Sequence, residues 1–258
     1  MTEPVSIAVF GASGRMGQAV LRLASGDARA RVVAALVKPG SVAGASSGGV
    51  RHSERIDRDI APDVLIDFSI AAAFDAALAE ALGRRIAFVS GTTGLSLAQH
   101  DALRKAATTV PVLWSANFSL GVAVLTRLAR EAAQKLAAWD CEIAEAHHRN
   151  KKDAPSGTAL ALGRAIADAR GVEFERVAER DRTAHSNVRG PAAIGFAVTR
   201  AGDIVGEHTV TFATDGERIE LMHSATDRDI FARGALEAAL WIARQPPGLY
   251  ALQDVLGG

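Results

Sequence analysis

Between Glu145 and Ala159 the chain sets two histidines, His147 and His148, beside the cations Arg149, Lys151 and Lys152, and closes with Ser156-Gly157-Thr158 ahead of an apolar helical pattern. Histidine transfers protons near neutral pH, and a lysine close to other cations and a ligand can serve as an acid or as an electrostatic anchor. His147 and Lys151 lie four positions apart. Ser156 offers a hydroxyl cap, and the amides that follow it form a cradle for a carboxylate or phosphate, with Pro155 fixing the approach. The plainer alternative is a solvated basic loop that ends in an ordinary helix cap. Metal binding fits less well, because His147, His148 and Asp153 do not follow a familiar ligand spacing and Cys141 has no partner cysteine.

A second constellation, Gly11-Ala12-Ser13-Gly14-Arg15-Met16-Gly17, follows the apolar run Val5 to Phe10 directly. Small residues there let the backbone approach a pyrophosphate, whose charge is met by amides at a helix start. The usual dinucleotide fingerprint separates its first two glycines by one residue, whereas two intervene here, so the preceding strand carries much of the argument. The fingerprint also expects an acidic residue at the end of the second strand to hold ribose hydroxyls, and this chain has Val37-Lys38. Lys38 is either a contact for a 2′-phosphate or an ordinary solvated lysine. Gly91-Thr92-Thr93-Gly94 and Ser115-Ala116-Asn117-Phe118 each follow a short apolar run, where βα loops would face the nicotinamide end of a dinucleotide or simply turn the chain.

These motifs need a scaffold, and the chain supplies two patterns. Candidate strands at Val5–Phe10, Arg31–Val37, Val64–Phe68, Ile86–Val89 and Val112–Trp114 alternate with Ala-rich helical segments, Ala71–Leu82 and Leu97–Ala107 among them. The alternation predicts a doubly wound parallel sheet, a Rossmann-like α/β domain over residues 1–118. The Gly- and Ser-rich stretch 39–49 reads as a mobile loop. Beyond it, a helix over Leu120–Leu136, a strand at Cys141–Ala146 and a helix from Thr158 to about Ala169 precede three alternating segments. Ile194–Arg200, Glu207–Ala213 and Arg218–Ser224 predict an antiparallel meander, giving an α+β second domain over residues 119–228. The amphipathic helix Ile230–Ala243 can belong to either domain on its pattern alone.

Composition narrows the function classes. Lys plus Arg equals Asp plus Glu at 29 each, so no net field is available to gather nucleic acid, and an anionic ligand must be drawn by a local cluster. A lone cysteine in an apolar stretch fits a reducing compartment and a packing role. No apolar run reaches the ~18 residues of a membrane span, and the first strand begins too early for a leader, so a cytoplasmic protein with no membrane partner is expected.

The segment Glu145-Ala146-His147-His148-x-x-Lys151-x-Asp153-Ala154-Pro155-Ser156-Gly157-Thr158-Ala159 closely resembles the signature of the bacterial 4-hydroxy-tetrahydrodipicolinate (dihydrodipicolinate) reductase family. The likeness extends in order through the Gly11–Gly17 turn, Ile66-Asp67-Phe68-Ser69, Gly91–Gly94, Ala116–Ser119 and Arg200-Ala201-Gly202-Asp203-Ile204-Val205-Gly206-Glu207-His208-Thr209. It implies an NAD(P)H-dependent reductase of lysine and diaminopimelate synthesis, with a cyclic dicarboxylate substrate and a homotetramer built through the second-domain sheets. It also returns residues 229–258 to the first domain. Gly11, Ala12, Ser13, Gly14, Arg15 and Met16, then Gly91, Thr92 and Thr93, then Ser115, Ala116, Asn117 and Phe118, match the positions that contact the dinucleotide. His148, Gly157 and Thr158 match substrate contacts, with Ser156 assisting, and His147 and Lys151 match the proton donors. The family usually carries an acidic residue where Val37 stands, followed by a basic one; with only Lys38 kept, NADPH is the expected reductant and NADH the alternative. A reductase of another imino or keto acid, or a non-catalytic nucleotide sensor, are the rival readings; the second has no use for His147, Lys151 and the cradle.

Overall fold

A computed structural model of the chain describes residues 3–38, 40–41, 46–47, 49–181 and 188–257. Two compact units emerge, Met1–Leu120 with Asp229–Gly258, and Gly121–Arg228.

In the first unit the strands are β1 (Val5–Phe10), β2 (Ala30–Leu36), β3 (Ser46–Ser47), β4 (Val50–Ser53), β5 (Val64–Asp67), β6 (Ala87–Ser90), β7 (Pro111–Trp114) and, near the C-terminus, β13 (Gly248–Tyr250). They form one sheet in the order β13-β7-β6-β5-β1-β2-β4-β3, parallel except for the short β3–β4 pairing. Strands such as Val64–Asp67 and Ala87–Ser90 are buried along their whole length because helices cover both faces. Helices α1 (Arg15–Ser25) and α7 (Asp229–Ile242) pack together, with α7 against β5, β6 and β7; α2 (Ala71–Arg84) and α3 (Leu97–Ala106) pack together against β5, β6 and β7. The chain runs outward from β1 to β2, then starts again from β1's other side at β5. A topological switch point therefore lies between β1 and β5, and every loop singled out above leaves a strand at its carboxyl end.

The second unit carries α4 (Leu120–Lys135), β8 (Asp140–His147), α5 (Gly157–Arg170), α6 (Phe174–Val177), β9 (Ala178–Glu179), β10 (Ile194–Arg200), β11 (Gly206–Thr214) and β12 (Glu217–Ala225). Its sheet order is β12-β11-β8-β10-β9. The expected meander is corrected here: β10 does not pair with β11, because β8 lies between them, parallel to β10 and antiparallel to β11. Burial explains the insertion. β8 alternates along its length, and its inward residues Cys141 and Ile143 share a core with Ile194, Val210 and Phe212 beneath α4 and α5, so it takes the centre, where both neighbours shield it. Most of the pairing in this mixed sheet remains antiparallel.

The stretch 39–49, read as a loop, falls partly on residues 39, 42–45 and 48, which lie outside the described residues. Ser46–Ser47 do pair with β4, which itself adds to β2. A two-residue strand and a four-residue one are too short to announce themselves by periodicity.

Gly234 in α7 shows how the first unit fixes its loops, since a Cβ there would lie 1.8 Å from the carbonyl oxygen of Phe118. Only a hydrogen fits that approach. Gly234→Ala is expected to destabilise the protein by about 1–3 kcal/mol through overpacking against backbone that cannot rotate away. Urea denaturation reads it as a lower midpoint; an unchanged midpoint contradicts this packing.

Candidate active site

In the first unit, Gly11 ends β1 with φ +81, and a Cβ on it would meet the Phe68 carbonyl oxygen at 2.7 Å; one on Gly17 would meet the Gly11 carbonyl oxygen at 2.3 Å. Glycine at 11 and 17 is therefore required for the turn to close onto α1. Gly14 caps α1 without a side-chain hydrogen bond, no acidic residue occupies the first turn, and Ser13, Gly14 and Arg15 are exposed. Helix-start amides with no side chain in front of them suit a pyrophosphate. Val37 is buried, with its amide bonded to the Ser53 carbonyl, whereas Lys38 is exposed.

The next two loops hang from a buried carboxylate. Asp67, at the end of β5, accepts hydrogen bonds from Ser90 Oγ (2.8 Å), Thr92 Oγ1 (2.8 Å) and the Ser69 amide (2.9 Å). Trp114 Nε1 donates to the Thr92 carbonyl at 2.9 Å, and Phe68 meets Phe118 edge-on at 5.6 Å. Gly91 has no room for a side chain, because a Cβ would lie 2.1 Å from the Phe68 ring. In the following loop Ser115 Oγ donates to the Asn117 carbonyl (2.7 Å) and Asn117 Oδ1 accepts the Ser119 amide (2.8 Å). Thr93 and Ala116 are left exposed at the loop tips, open to a ligand.

The second unit assembles the basic motif. β8 delivers Glu145 and His147 to the same inner face, since residues two apart in a strand point the same way. The Glu145 side chain is fully buried, and four donors surround it: Arg200 Nη1 and Nη2 at 2.8 Å each, His147 Nδ1 at 2.6 Å and the Ser156 amide at 2.9 Å. Burial alone would raise the Glu145 pKa; the hydrogen bonds from Arg200, His147 and Ser156 more than reverse it, so the carboxyl stays below its ordinary range. For His147 burial wins, lowering the pKa from its ordinary value against the pull of Glu145, with Lys151 and Arg200 adding to the decrease.

The loop then turns through a cis Ala154–Pro155 bond. Lys151 Nζ pairs with Asp153 Oδ1 at 2.9 Å, an interaction that holds the Asp153 carboxyl below its usual range. Ser156 caps α5 by accepting the Ala159 amide at 3.1 Å, and its Oγ also meets His208 Nε2 at 3.1 Å. Ser156 is thus buried and already engaged, while Gly157 is exposed and Thr158 and His148 are half-buried. The structure brings His147, Lys151, Ser156, Gly157 and Thr158 onto one end of β8 and α5, and adds three residues to which the sequence reading gave no role: Glu145, Arg200 and His208. A signal existed for each in the alternation of β8, β10 and β11, but pairing was needed to turn it into contacts. Arg200 stands opposite His147 in the β10–β8 register, and His208 opposite Glu145 in β11–β8.

A strand-switched α/β domain, with a second unit that gathers an imidazole, an ammonium and a capped helix start at one end of β8 and α5, fits the nicotinamide-dependent reductase class. Residues 5–118 match the N-terminal part of the dihydrodipicolinate reductase family and residues 121–256 its C-terminal part, and the chain belongs to that family. It is 47% identical to the 4-hydroxy-tetrahydrodipicolinate reductase of Zymomonas mobilis over 98% of this chain and 97% of that one. It is also 48% identical to that of Stenotrophomonas maltophilia, over 98% of each. A dipicolinate-bound dihydrodipicolinate reductase from Paenisporosarcina sp. TG-14 shares the fold with a TM-score of 0.81 at 22% identity, over 97% of this chain and 99% of that one.

His208 gives the site a pH signature in stability. Burial pushes its pKa down to about 4, with the neighbouring His147 acting in the same direction, and its Nδ1 is buried with no hydrogen-bond partner among the described residues. An unfolded histidine titrates near 6.5, so between about pH 6.5 and about pH 4 the unfolded chain binds a proton that the folded chain refuses. Stability should therefore fall as pH drops through that window. Urea midpoints at pH 7 and pH 5 test it: His208→Gln is expected to flatten the decline, and an equal slope in both proteins assigns the effect elsewhere.

Proposed function

We infer that the chain reduces 4-hydroxy-tetrahydrodipicolinate to tetrahydrodipicolinate with NAD(P)H, a step of lysine and diaminopimelate synthesis. The observation that carries this reading is the joining of His147 to the start of α5 through one buried carboxylate, within a chain of this family. Net, the reaction takes up a hydride and a proton and releases the 4-hydroxyl as water. When bound, a reduced nicotinamide would supply the hydride, which the substrate ring takes up at C4. The dinucleotide's phosphates suit the Gly11–Met16 turn, and its nicotinamide ring suits Gly91–Thr93 and Ser115–Phe118. Within the second unit, the amides of Gly157 and Thr158 and the Thr158 hydroxyl take one substrate carboxylate, with His148 beside them. His147 and Lys151 handle the proton. Since the Glu145 carboxylate accepts from Nδ1, His147 exchanges protons through Nε2, and its imidazolium form grows as pH falls toward its lowered pKa.

Self-assembly fits the second unit's sheet. In the register Met222–Thr209–Ala144–Ala197, one row crosses the face opposite α4 and α5, and Met222, Ala144 and Ala197 along it are exposed. A homotetramer formed through this face is the proposed assembly. No helix among the described residues is long and apolar enough to cross a membrane. A buried thiol, with the pKa of Cys141 pushed up to about 12 by its burial, suits the reducing cytoplasm in which we place the enzyme.

Oxidation of the reduced nicotinamide, followed at 340 nm with freshly synthesised substrate, tests the activity; a rate no higher than without substrate rejects it. In the same assay His147→Gln should lower kcat on the order of 10²- to 10⁴-fold while the Kd for the dinucleotide stays close to wild type, because proton transfer acts in the transition state and away from the pyrophosphate. Near-normal turnover contradicts the assignment of His147.

In this reading cofactor choice turns on two exposed cations, Arg15 at the start of α1 and Lys38 just beyond β2. A charge-assisted hydrogen bond contributes about 1.5–3 kcal/mol, and exposure pulls that toward its lower end, so NADPH is expected to exceed NADH by roughly tenfold in kcat/KM. Lys38→Ala should remove part of the preference, and replacing Arg15 as well should remove more. Val37→Glu, which restores the acidic residue the family usually carries there, should shift selectivity toward NADH. Equal use of both cofactors by the wild-type enzyme contradicts a role for these cations.

A further inference from the structure

Glu145 precedes His147 by two residues on the inner face of β8, and in the reaction scheme above it neither transfers the proton nor touches the substrate. We propose that Glu145 is the positioning residue on which both halves of the site depend: Oε2 orients the His147 ring, Oε1 seats the start of α5, and Arg200 spans both oxygens so that neither contact is exchanged for the other. The proposal rests on the reading that His147 and the α5 cradle serve the reduction.

The geometry divides the labour between the two oxygens. Oε2 accepts His147 Nδ1 at 2.6 Å and Arg200 Nη1 at 2.8 Å, while Oε1 accepts the Ser156 amide at 2.9 Å and Arg200 Nη2 at 2.8 Å. Nη2 also donates to the Asp153 carbonyl at 2.6 Å, which secures the loop just ahead of the cradle. An ionised carboxylate only accepts, so His147 must carry its proton on Nδ1, leaving Nε2 as the exchanging nitrogen. Gly206 leaves Nε2 its space, since a Cβ at 206 would lie 3.0 Å from it.

Charge makes a second argument. The groups facing His147 are Glu145 on its own strand, Arg200 on β10, His208 on β11 and Lys151 in the loop. Of these only Glu145 is acidic. Without its charge the imidazole would face cations and a second imidazole alone, and the protonated ring would be harder to form. A side chain that merely filled space would leave the titration of His147 where it is.

Kinetics against pH, paired with ¹⁵N NMR of histidine-labelled full-length protein, test the proposal. Glu145→Gln is expected to lower kcat on the order of 10²-fold or more, raise KM for the substrate, and move the His147 titration down by about one pH unit or more. Glu145→Asp, which keeps the charge, should return the titration toward wild type while recovering only part of kcat. A folded Glu145→Gln protein whose His147 titrates as in wild type overturns the proposal. If that variant does not fold, the wild-type spectrum decides instead: a neutral His147 protonated on Nδ1 supports the role and one protonated on Nε2 refutes it. A wild-type enzyme without reductase activity would reject the proposed function, while the NMR titration still judges Glu145 by itself.

Discussion

A carboxylate withdrawn from water must be matched by donors or lose its charge, and Glu145 is matched on every side. That requirement organises the second unit. It fixes Arg200 on β10, and through Arg200 the approach to Pro155; it fixes the tautomer of His147; and it ties the first turn of α5 to the end of β8. A buried pair of this kind adds little net stability, yet removing one partner typically costs about 3–5 kcal/mol because the other charge is stranded. The arrangement is thus better understood as a choice of one geometry than as a source of cohesion.

The first unit uses the same device in another setting. Asp67, also fully buried, gathers the Ser90 hydroxyl at the end of β6 and a hydroxyl and an amide from the loops that follow β6 and β5. Loops are the natural place for ligand contacts, but a loop is useful only when its rigid neighbours hold it. Here the holding is done by buried carboxylates at strand ends and by glycines, at 11, 17, 91 and 234, that permit approaches no side chain would allow. The groups we propose for ligand contact are backbone amides and small hydroxyls, which few rotatable bonds can displace.

Much of this was legible in the sequence, for identifiable reasons. Apolar runs marked β1, β5, β6 and β7, those of β1 and β6 leading into the glycine turns at Gly11 and Gly91, and the alternation of helix and strand marked the parallel sheet. Strong local chemistry marked the segment from Glu145 to Thr158. What stayed hidden depended on pairing between distant residues. Nothing local says that β8 rather than β10 lies beside β11, and so Arg200 and His208 could not be placed against Glu145 and Ser156 from spacing. Short elements such as β4 and β13 also escaped, since Val50-Arg51-His52-Ser53 and Gly248-Leu249-Tyr250 lack the apolar run that marked β5, β6 and β7 at similar length. At Val37 the sequence raised the question of cofactor choice, and the fold reframed it by burying that side chain and leaving Lys38 exposed.

A crystal structure of the protein with pyridine-2,6-dicarboxylate and NADPH would show whether Glu145 holds both halves of the site in place around a ligand. One ligand carboxylate is expected on the amides of Gly157 and Thr158, with His147 Nε2 turned toward the ring and Nδ1 still bonded to a Glu145 that keeps both contacts with Arg200. A ligand bound away from the start of α5, or a His147 ring released from Glu145 in the complex, would contradict it.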